Sequence, residues 1–153
     1  MATKEAIKER ETSTASEFWN LLSPERPLFP ATSDIIYRGQ SDARWQLVPK
    51  AFRGAHNPAH LMFGEHIDIA AQVAAECITL KSFVDHCDSI PLQIPNDSPQ
   101  FRRQHFPNNV TNWPFHLVQT WPSPEIVPLM ALAQHSGLPT RLLDWTRRSY
   151  VAA

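Results

Sequence analysis

The sequence has little glycine, and this scarcity excludes one large class of phosphate-binding site. Only four glycines occur among the 153 residues: Gly39, Gly54, Gly64 and Gly137. A P-loop or a dinucleotide-binding fingerprint needs several glycines in one short loop, because only glycine lets backbone N–H groups approach the phosphates closely. The chain therefore has no glycine-rich phosphate loop.

Excess charge of one sign, long apolar runs and paired cysteines are also missing. The net charge of −1 argues against a strongly basic nucleic-acid binder. No run of about eighteen apolar residues occurs, so no membrane contact is predicted, and the charged segment 1–11 lacks the apolar stretch of a signal peptide. Cys77 and Cys87 fall in one predicted helix, about 15 Å apart at the usual rise per residue, which is too far for a disulfide. We therefore expect a cytoplasmic protein with reduced core cysteines.

Three histidines lie near one another in the sequence without the companions that a metal site needs. His56, His60 and His66 have no cysteine or carboxylate at ligand spacing beside them. Because a zinc site needs several convergent ligands, we predict no metal site here.

What is present is the composition of a globular domain. Apolar residues make up 42% and charged residues 19% of the chain, and this length can bury a sizeable core. We predict a flexible N-terminus over residues 1–12 and one α/β domain, of the α+β type, over residues 13–153. The strands are predicted to be short, with a long scaffold helix and a C-terminal helix and turn that carry the main motif.

Local patterns place the predicted elements of the N-terminal half. A capping box at Thr14–Glu17 predicts a short helix through Leu22. Residues 35–38 predict a short strand, and residues 45–48 a second strand or an extended segment before Pro49. Apolar residues at three- and four-residue steps predict a long helix from Glu65 to about His86.

The C-terminal half begins with a proline-rich segment, predicted to be a loop or insertion over about residues 89–122. Eight of the fourteen prolines fall in residues 89–128, which excludes long helices and central strands there. Ser123 then predicts a helix start, and Gly137 with Leu138 predicts a Schellman stop. Thr146 is a good N-cap for a last helix that has barely two turns, so we expect a truncated domain.

Two polar clusters stand out, and we expect the fold to assemble them into one site. The first, residues 37–41, follows the apolar pair Ile35 and Ile36. The second, residues 134–146, holds an imidazole, a guanidinium, a carboxylate, hydroxyls and an indole within thirteen residues. Such variety is typical of binding or catalytic groups on rigidly held connections.

Each member of these clusters also has a structural interpretation. His135, in the last turn of a helix, can bind a ligand or cap free carbonyls. Arg141 and Asp144 are spaced to form a local ion pair, and an arginine held in this way is prepared to bind phosphate in a bidentate fork. Arg38 before Gly39 suits an anion site. Trp145 can stack on a planar ring or cover the core.

The two clusters, together with the segment from Trp45 to Arg53, resemble the FRG domain family, which is named for an aromatic or Phe-Arg-Gly motif near its start. The resemblance covers about residues 14–153 and rests on Tyr37-Arg38-Gly39 and on the long second motif. Members of this family continue past the point where this chain stops, which again predicts truncation. The resemblance favours a shared polar site that includes Arg38, His135, Arg141 and Asp144.

Tyr37-Arg38-Gly39 is also similar to the first motif of arginine-containing mono-ADP-ribosyltransferases. That analogy implies that the chain binds a small phosphorylated or nucleotide ligand, with NAD as the cofactor of an ADP-ribosyltransferase-like activity. His135 and Asp144 are the predicted catalytic residues. The predicted ligand-binding residues are Tyr37, Arg38, Gly39, Gln40, Gln134, Thr140, Arg141 and Trp145.

Two alternative functions remain open. A non-catalytic module could bind nucleic acid or protein through Arg38, Arg44, Arg53 and Arg141, with Trp113, Trp121 and Trp145 as stacking surfaces. Alternatively, both clusters form a purely structural polar network, in which Arg38 bridges to Asp144 and a change at Arg38 destabilises the fold.

Overall fold

The structure of the chain is a computed structural model that describes residues 10–23, 34–106 and 117–152. Helices hold 52% of these described residues. The α-helices are α1 (Ala15–Leu22), α2 (Pro58–Phe63), α3 (Ile69–Ser89), α4 (Pro99–His105), α5 (Leu117–Thr120) and α6 (Val127–His135). Single 3₁₀ turns lie at Lys50–Phe52, Gly54–His56 and Ser149–Val151.

The predicted α/β class is wrong, because the described ranges contain no strand and no sheet. The predicted strand at residues 35–38 makes only one isolated bridge, in which Tyr37 and Thr146 exchange backbone hydrogen bonds of 2.7 and 2.9 Å. A β-branched pair favours extended backbone, but a strand also needs a neighbour along its length. Residues 45–48 form local turn contacts, such as the bond from Val48 N–H to the Gln46 carbonyl, and then enter a 3₁₀ turn.

The described residues divide into two compact units. The first unit contains residues 10–23, 34–45 and 144–152, and the second unit is Gln46–Leu143. The hydrophobic core cluster lies in the second unit, where α3 and α6 supply most of its side chains. Ile126, Leu129 and Met130 of the α6 region are completely or almost completely buried there, together with Cys77 and Cys87.

Helix α3 confirms the long predicted helix but begins four residues later than the pattern indicated. Asp68 is the N-cap, and its carboxylate accepts a 2.7 Å hydrogen bond from the Ala71 N–H. This satisfies a backbone donor that would otherwise have no partner at the helix start. Cys77 and Cys87 are free thiols in α3, as the spacing predicted, and burial raises the pKa of both.

Helix α1 confirms the predicted capping box. The Thr14 hydroxyl accepts from the Glu17 N–H, and the Glu17 carboxylate accepts from the Thr14 N–H. The helix ends at Leu22 as predicted, and the Ser149 hydroxyl donates a 2.6 Å hydrogen bond to the Leu22 carbonyl. The rings of Trp19 and Tyr150 lie 5.2 Å apart. These contacts attach α1 to the C-terminal 3₁₀ turn within the first unit.

Helix α6 begins later than predicted and ends where predicted. Ser123 is followed by a turn, since its carbonyl accepts from the Ile126 N–H, and the helix starts at Val127. At the other end the Leu138 N–H bonds to the Ala133 carbonyl and the Gly137 N–H to the Gln134 carbonyl. These two bonds are the Schellman pattern, with Gly137 at a φ of 94°.

The last helix predicted after Thr146 is reduced to the 3₁₀ turn Ser149–Val151. The Thr146 hydroxyl accepts from the Arg148 N–H, two residues later, at 3.1 Å. This short loop uses the capping group locally, so the hydroxyl does not start an α-helix.

The proline-rich segment contains only the short helices α4 and α5 in its described part, as its composition predicted. Residues 107–116, which include Trp113 of the predicted stacking surfaces, lie outside the described residues. Arg102 in α4 makes ion pairs of 2.6 Å to both Asp88 and Asp97. Hydrogen bonds from this guanidinium hold the pKa of both carboxyls below its ordinary value.

The described residues contain neither a membrane-spanning helix nor a cluster of metal ligands. None of the helices there is both long and apolar enough to cross a bilayer. No group of three or more His, Cys, Asp and Glu side chains in those ranges is arranged to hold a metal ion.

The left-handed backbone of Gly137 at the C-terminus of α6 can be tested by substitution. Gly137→Ala adds only one methyl group, and no atom lies within 4 Å of the position that this methyl would occupy. We expect the free energy of unfolding to fall by about 1–2 kcal/mol, the cost of a left-handed backbone for an L-residue. Gly137→Asn should cost less, because asparagine tolerates this conformation. Equal stability of the alanine variant and the unchanged chain in urea unfolding would contradict the assignment.

Candidate functional site

The predicted site residues are divided between the two compact units. Tyr37, Arg38, Gly39, Gln40, Asp144 and Trp145 belong to the first unit, and Gln134, His135, Thr140 and Arg141 belong to the second.

The first unit contains an open cleft of about 660 Å³. Its floor and sides come from three segments that are distant in the sequence: α1 through Phe18 and Leu22, residues 37–41, and the turn at Ser149–Ala152. We call it the Arg38 cleft. Four of the predicted ligand-binding residues, Tyr37 to Gln40, line it.

Arg38 is anchored at one end of its guanidinium and lacks a partner at the other. Its Nη1 donates a 2.9 Å hydrogen bond to the main-chain carbonyl of Asp144. Its Nε is buried and has no hydrogen-bond partner among the described residues. Native proteins rarely leave a buried donor without a partner, so this atom marks a position where an acceptor is missing.

Gly39 is required by a close approach of the backbone. A Cβ atom at this position would overlap the carbonyl oxygen of Ala152, and the Ala152 carbonyl carbon would lie at 3.2 Å. Glycine therefore lets the turn after Ser149 come against the residue that follows Arg38. This contact brings two walls of the Arg38 cleft together.

The remaining predicted residues of the first unit have mixed surroundings. The Gln40 amide donates a 3.1 Å hydrogen bond to the Trp45 carbonyl, which fixes the orientation of the amide on the rim of the cleft. Asp144 supplies its carbonyl to Arg38. Trp145 is 46% exposed and does not cap a core. Arg44 makes a local pair of 2.6 Å with Asp42.

In the second unit, Arg141 forms a bidentate ion pair with the buried carboxylate of Glu76. Its Nε and Nη2 donate hydrogen bonds of 2.6 and 3.1 Å to the two carboxylate oxygens of Glu76, which is 3% exposed and lies in the middle of α3. Its guanidinium carbon is 5.7 Å from the ring centre of Phe52. The three-residue spacing predicted a pair with Asp144, whereas the bidentate partner in the structure is 65 positions earlier.

Glu76 is also bound by two neutral donors. The Trp121 indole N–H donates to one carboxylate oxygen at 2.9 Å, and the Gln72 amide donates to the other at 2.8 Å. The Gln72 amide also reaches the carbonyl of Ala51 at 3.4 Å. Because both oxygens of this carboxylate are satisfied, its burial is tolerated.

Gln134 and Thr140 contact each other across the Schellman turn. The Thr140 hydroxyl donates to the Gln134 side-chain oxygen and accepts from the Leu142 N–H at 3.2 Å. The carbonyl of Thr140 accepts from the Ala51 N–H at 3.1 Å. These bonds hold residues 138–142 in place. His135 is the exposed last residue of α6. A ligand-binding or catalytic role for these residues stays a prediction.

Sequence reasoning missed two residues that shape these sites. Glu76 lies in the predicted scaffold helix, and a charged residue in line with the buried positions Val73, Cys77 and Leu80 was a signal that it needs a partner. Phe18 lies in the predicted helix α1, and no sequence signal indicated that it lines the Arg38 cleft, where it is 38% exposed.

The pair of Glu76 and Arg141 can be tested by a double-mutant cycle. Glu76→Gln keeps the size of the side chain but leaves Arg141 without its counter-charge, and we expect a loss of about 3–5 kcal/mol in the free energy of unfolding. Arg141→Met should cost a similar amount. The double variant should be less destabilised than the sum of the two single changes. Additive losses in urea unfolding would contradict a direct interaction.

One family of known proteins matches most of this sequence. No curated protein and no solved structure shows a significant match. The sequence model of the FRG domain matches residues 33–153, which include the Arg38 region and the whole 134–146 motif. Because the match covers most of the sequence, the chain belongs to the FRG domain family.

Proposed function

We propose that this FRG domain binds a small phosphorylated ligand, of the nucleotide class, in the Arg38 cleft. The observation that carries the proposal is the buried Nε of Arg38, which has no partner among the described residues. An unsatisfied buried donor costs about 1–3 kcal/mol. A ligand oxyanion would supply the missing acceptor and recover that cost.

The orientation of Arg38 suits an oxyanion. Its Nη1 is occupied by the Asp144 carbonyl, so the edge formed by Nε and Nη2 is left for a ligand. This edge offers two parallel N–H donors that match two oxygens of a phosphate or carboxylate. Arg38 is one of the residues that line the cleft, so we propose that a ligand in the cleft binds along this edge.

The size and lining of the cleft favour an organic phosphate over a free ion. About 660 Å³ is within the usual range of small-molecule sites and far exceeds the volume of one phosphate. The side chains of Tyr37, Gln40 and Ser41 add hydrogen-bonding groups beside Arg38. A ribose or a similar polyhydroxylated group would use them.

The proposal extends to ADP-ribosyltransferase-like chemistry with NAD as the cofactor and Asp144, which belongs to the same unit as the cleft, as a catalytic residue. What supports it is the likeness of Tyr37-Arg38-Gly39 to the first motif of those enzymes. Release of nicotinamide from NAD, followed by chromatography, tests this part separately from binding. Binding of ADP-ribose without nicotinamide release would leave a binding domain.

Arg38 provides the direct test of binding. We expect wild type to bind ADP-ribose saturably in isothermal titration calorimetry, and Arg38→Ala to weaken binding by at least about tenfold, since a hydrogen bond to a charged group contributes about 1.5–3 kcal/mol. Arg38→Lys keeps the charge but loses the two-donor edge, so it should restore little of the affinity.

Arg44→Ala is the matched control, because Arg44 is an exposed arginine of the same unit paired with Asp42. Its affinity for ADP-ribose should equal that of wild type. Melting temperatures of all variants are measured in parallel. No binding by wild type, together with an Arg38→Ala protein that melts several degrees lower, would mean that Arg38 serves only a structural network.

A further inference from the structure

Helix α1 supplies the apolar wall of the Arg38 cleft. Phe18 and Leu22 are four residues apart, so they lie on the same face of α1, and both line the cleft. The helix precedes residues 33–153, the part that the family model matches. The wall therefore comes from residues outside the matched part of the chain.

The wall is held in a defined position. Leu22, at the end of α1, accepts the 2.6 Å hydrogen bond from Ser149, whose turn also lines the cleft. Trp19 packs on Tyr150 from the same turn, with ring centres 5.2 Å apart. The capping box at Thr14 fixes the start of the helix. Phe18 is thus positioned by its neighbours and does not depend on a ligand for its location.

Phe18 has an unusual combination of surroundings for an aromatic side chain. It is 38% exposed and shares the cleft with Arg38, whose Nε is a buried donor without a partner in the described residues. An exposed ring beside an unsatisfied cationic donor matches a ligand that carries an oxyanion and a planar apolar group. Edge or face contact with such a ring is favourable beyond the area that it buries.

We propose that α1 is the selectivity element of the Arg38 cleft, and that Phe18 packs against the planar base of a nucleotide whose phosphate is bound by Arg38. This inference rests on the proposed function, because it requires that a phosphate binds at Arg38. It adds that the base is recognised by α1, which lies outside the matched residues 33–153. The cleft volume of about 660 Å³ leaves room for the base in addition to the phosphate and ribose.

A matched pair of ligands separates the two parts of the argument. AMP and ribose 5-phosphate carry the same ribose and phosphate, and only AMP has a planar base. We expect wild type to bind AMP about tenfold more tightly than ribose 5-phosphate, a gain typical of stacking on one aromatic side chain. Both affinities are measured by calorimetry on the full chain.

Variants at Phe18 then test whether this residue is responsible for the tighter binding of AMP. Phe18→Ala should weaken AMP binding about tenfold and change ribose 5-phosphate binding less than about twofold, because only the base loses its partner. Phe18→Tyr keeps the ring and should retain the preference for AMP. Phe18→Leu keeps an apolar side chain of the wall and should lose most of that preference. Ile36→Ala, an exposed apolar position of the same unit, is the control and should bind both ligands like wild type.

Each outcome has a distinct meaning. If wild type binds both ligands with equal affinity, the selectivity role of α1 is overturned while the phosphate site stands. If Phe18→Ala weakens both ligands equally, Phe18 only shapes the cleft, and the inference is again overturned. If neither ligand binds to wild type, the proposed function fails and the inference fails with it. Retention of the AMP preference in a folded Phe18→Leu protein would show that the ring is not used.

Discussion

The buried carboxylate of Glu76 is the constraint on which the second unit depends. A carboxylate in the middle of a core helix is costly unless every oxygen has a donor. Here the donors come from Gln72 one turn earlier, from Trp121 at the end of the proline-rich segment, and from Arg141 in the second motif. One side chain of α3 thereby fixes the positions of two segments that have no regular structure of their own. The apolar side chains of α3 and α6 make up most of the buried core, while Glu76 fixes the positions of the segments that carry Trp121 and Arg141.

Local signals in the sequence were sufficient to predict three of the six α-helices in the described residues, α1, α3 and α6. Each of these signals depends on residues that are close together in the sequence. They are the capping box at Thr14, the apolar periodicity of α3 and the Schellman motif at Gly137, and the structure confirms all three. The predicted α/β class is wrong because a strand forms only where a second segment pairs with it along its length. Residues 35–38 have strand-like composition, but Tyr37 finds only the short segment at Thr146 as a neighbour, so pairing stops after one bridge.

The same distinction applies to the candidate sites. Tyr37, Arg38, Gly39 and Gln40 were recognised as a cluster because they are adjacent in the sequence, and together they line one cleft. The partner of Arg141 was not recognised, since Glu76 lies on another element and no spacing rule connects the two. The contribution of α1 to the cleft was missed for a similar reason: amphipathic spacing shows that Phe18 and Leu22 share a face but does not reveal what that face borders. Sequence patterns therefore located the polar groups, and tertiary packing determined which of them meet.

The hydrogen bond from Arg38 ends on a main-chain carbonyl, and this has a consequence for variation at position 144. Every amino acid carries a backbone carbonyl, so the side chain at this position can be exchanged without removing the acceptor. The orientation of the guanidinium is thus encoded in the path of the backbone, which the paired Tyr37 and Thr146 hold on either side. The orientation of Arg38 and the chemistry of the side chain at position 144 are in this sense structurally separate.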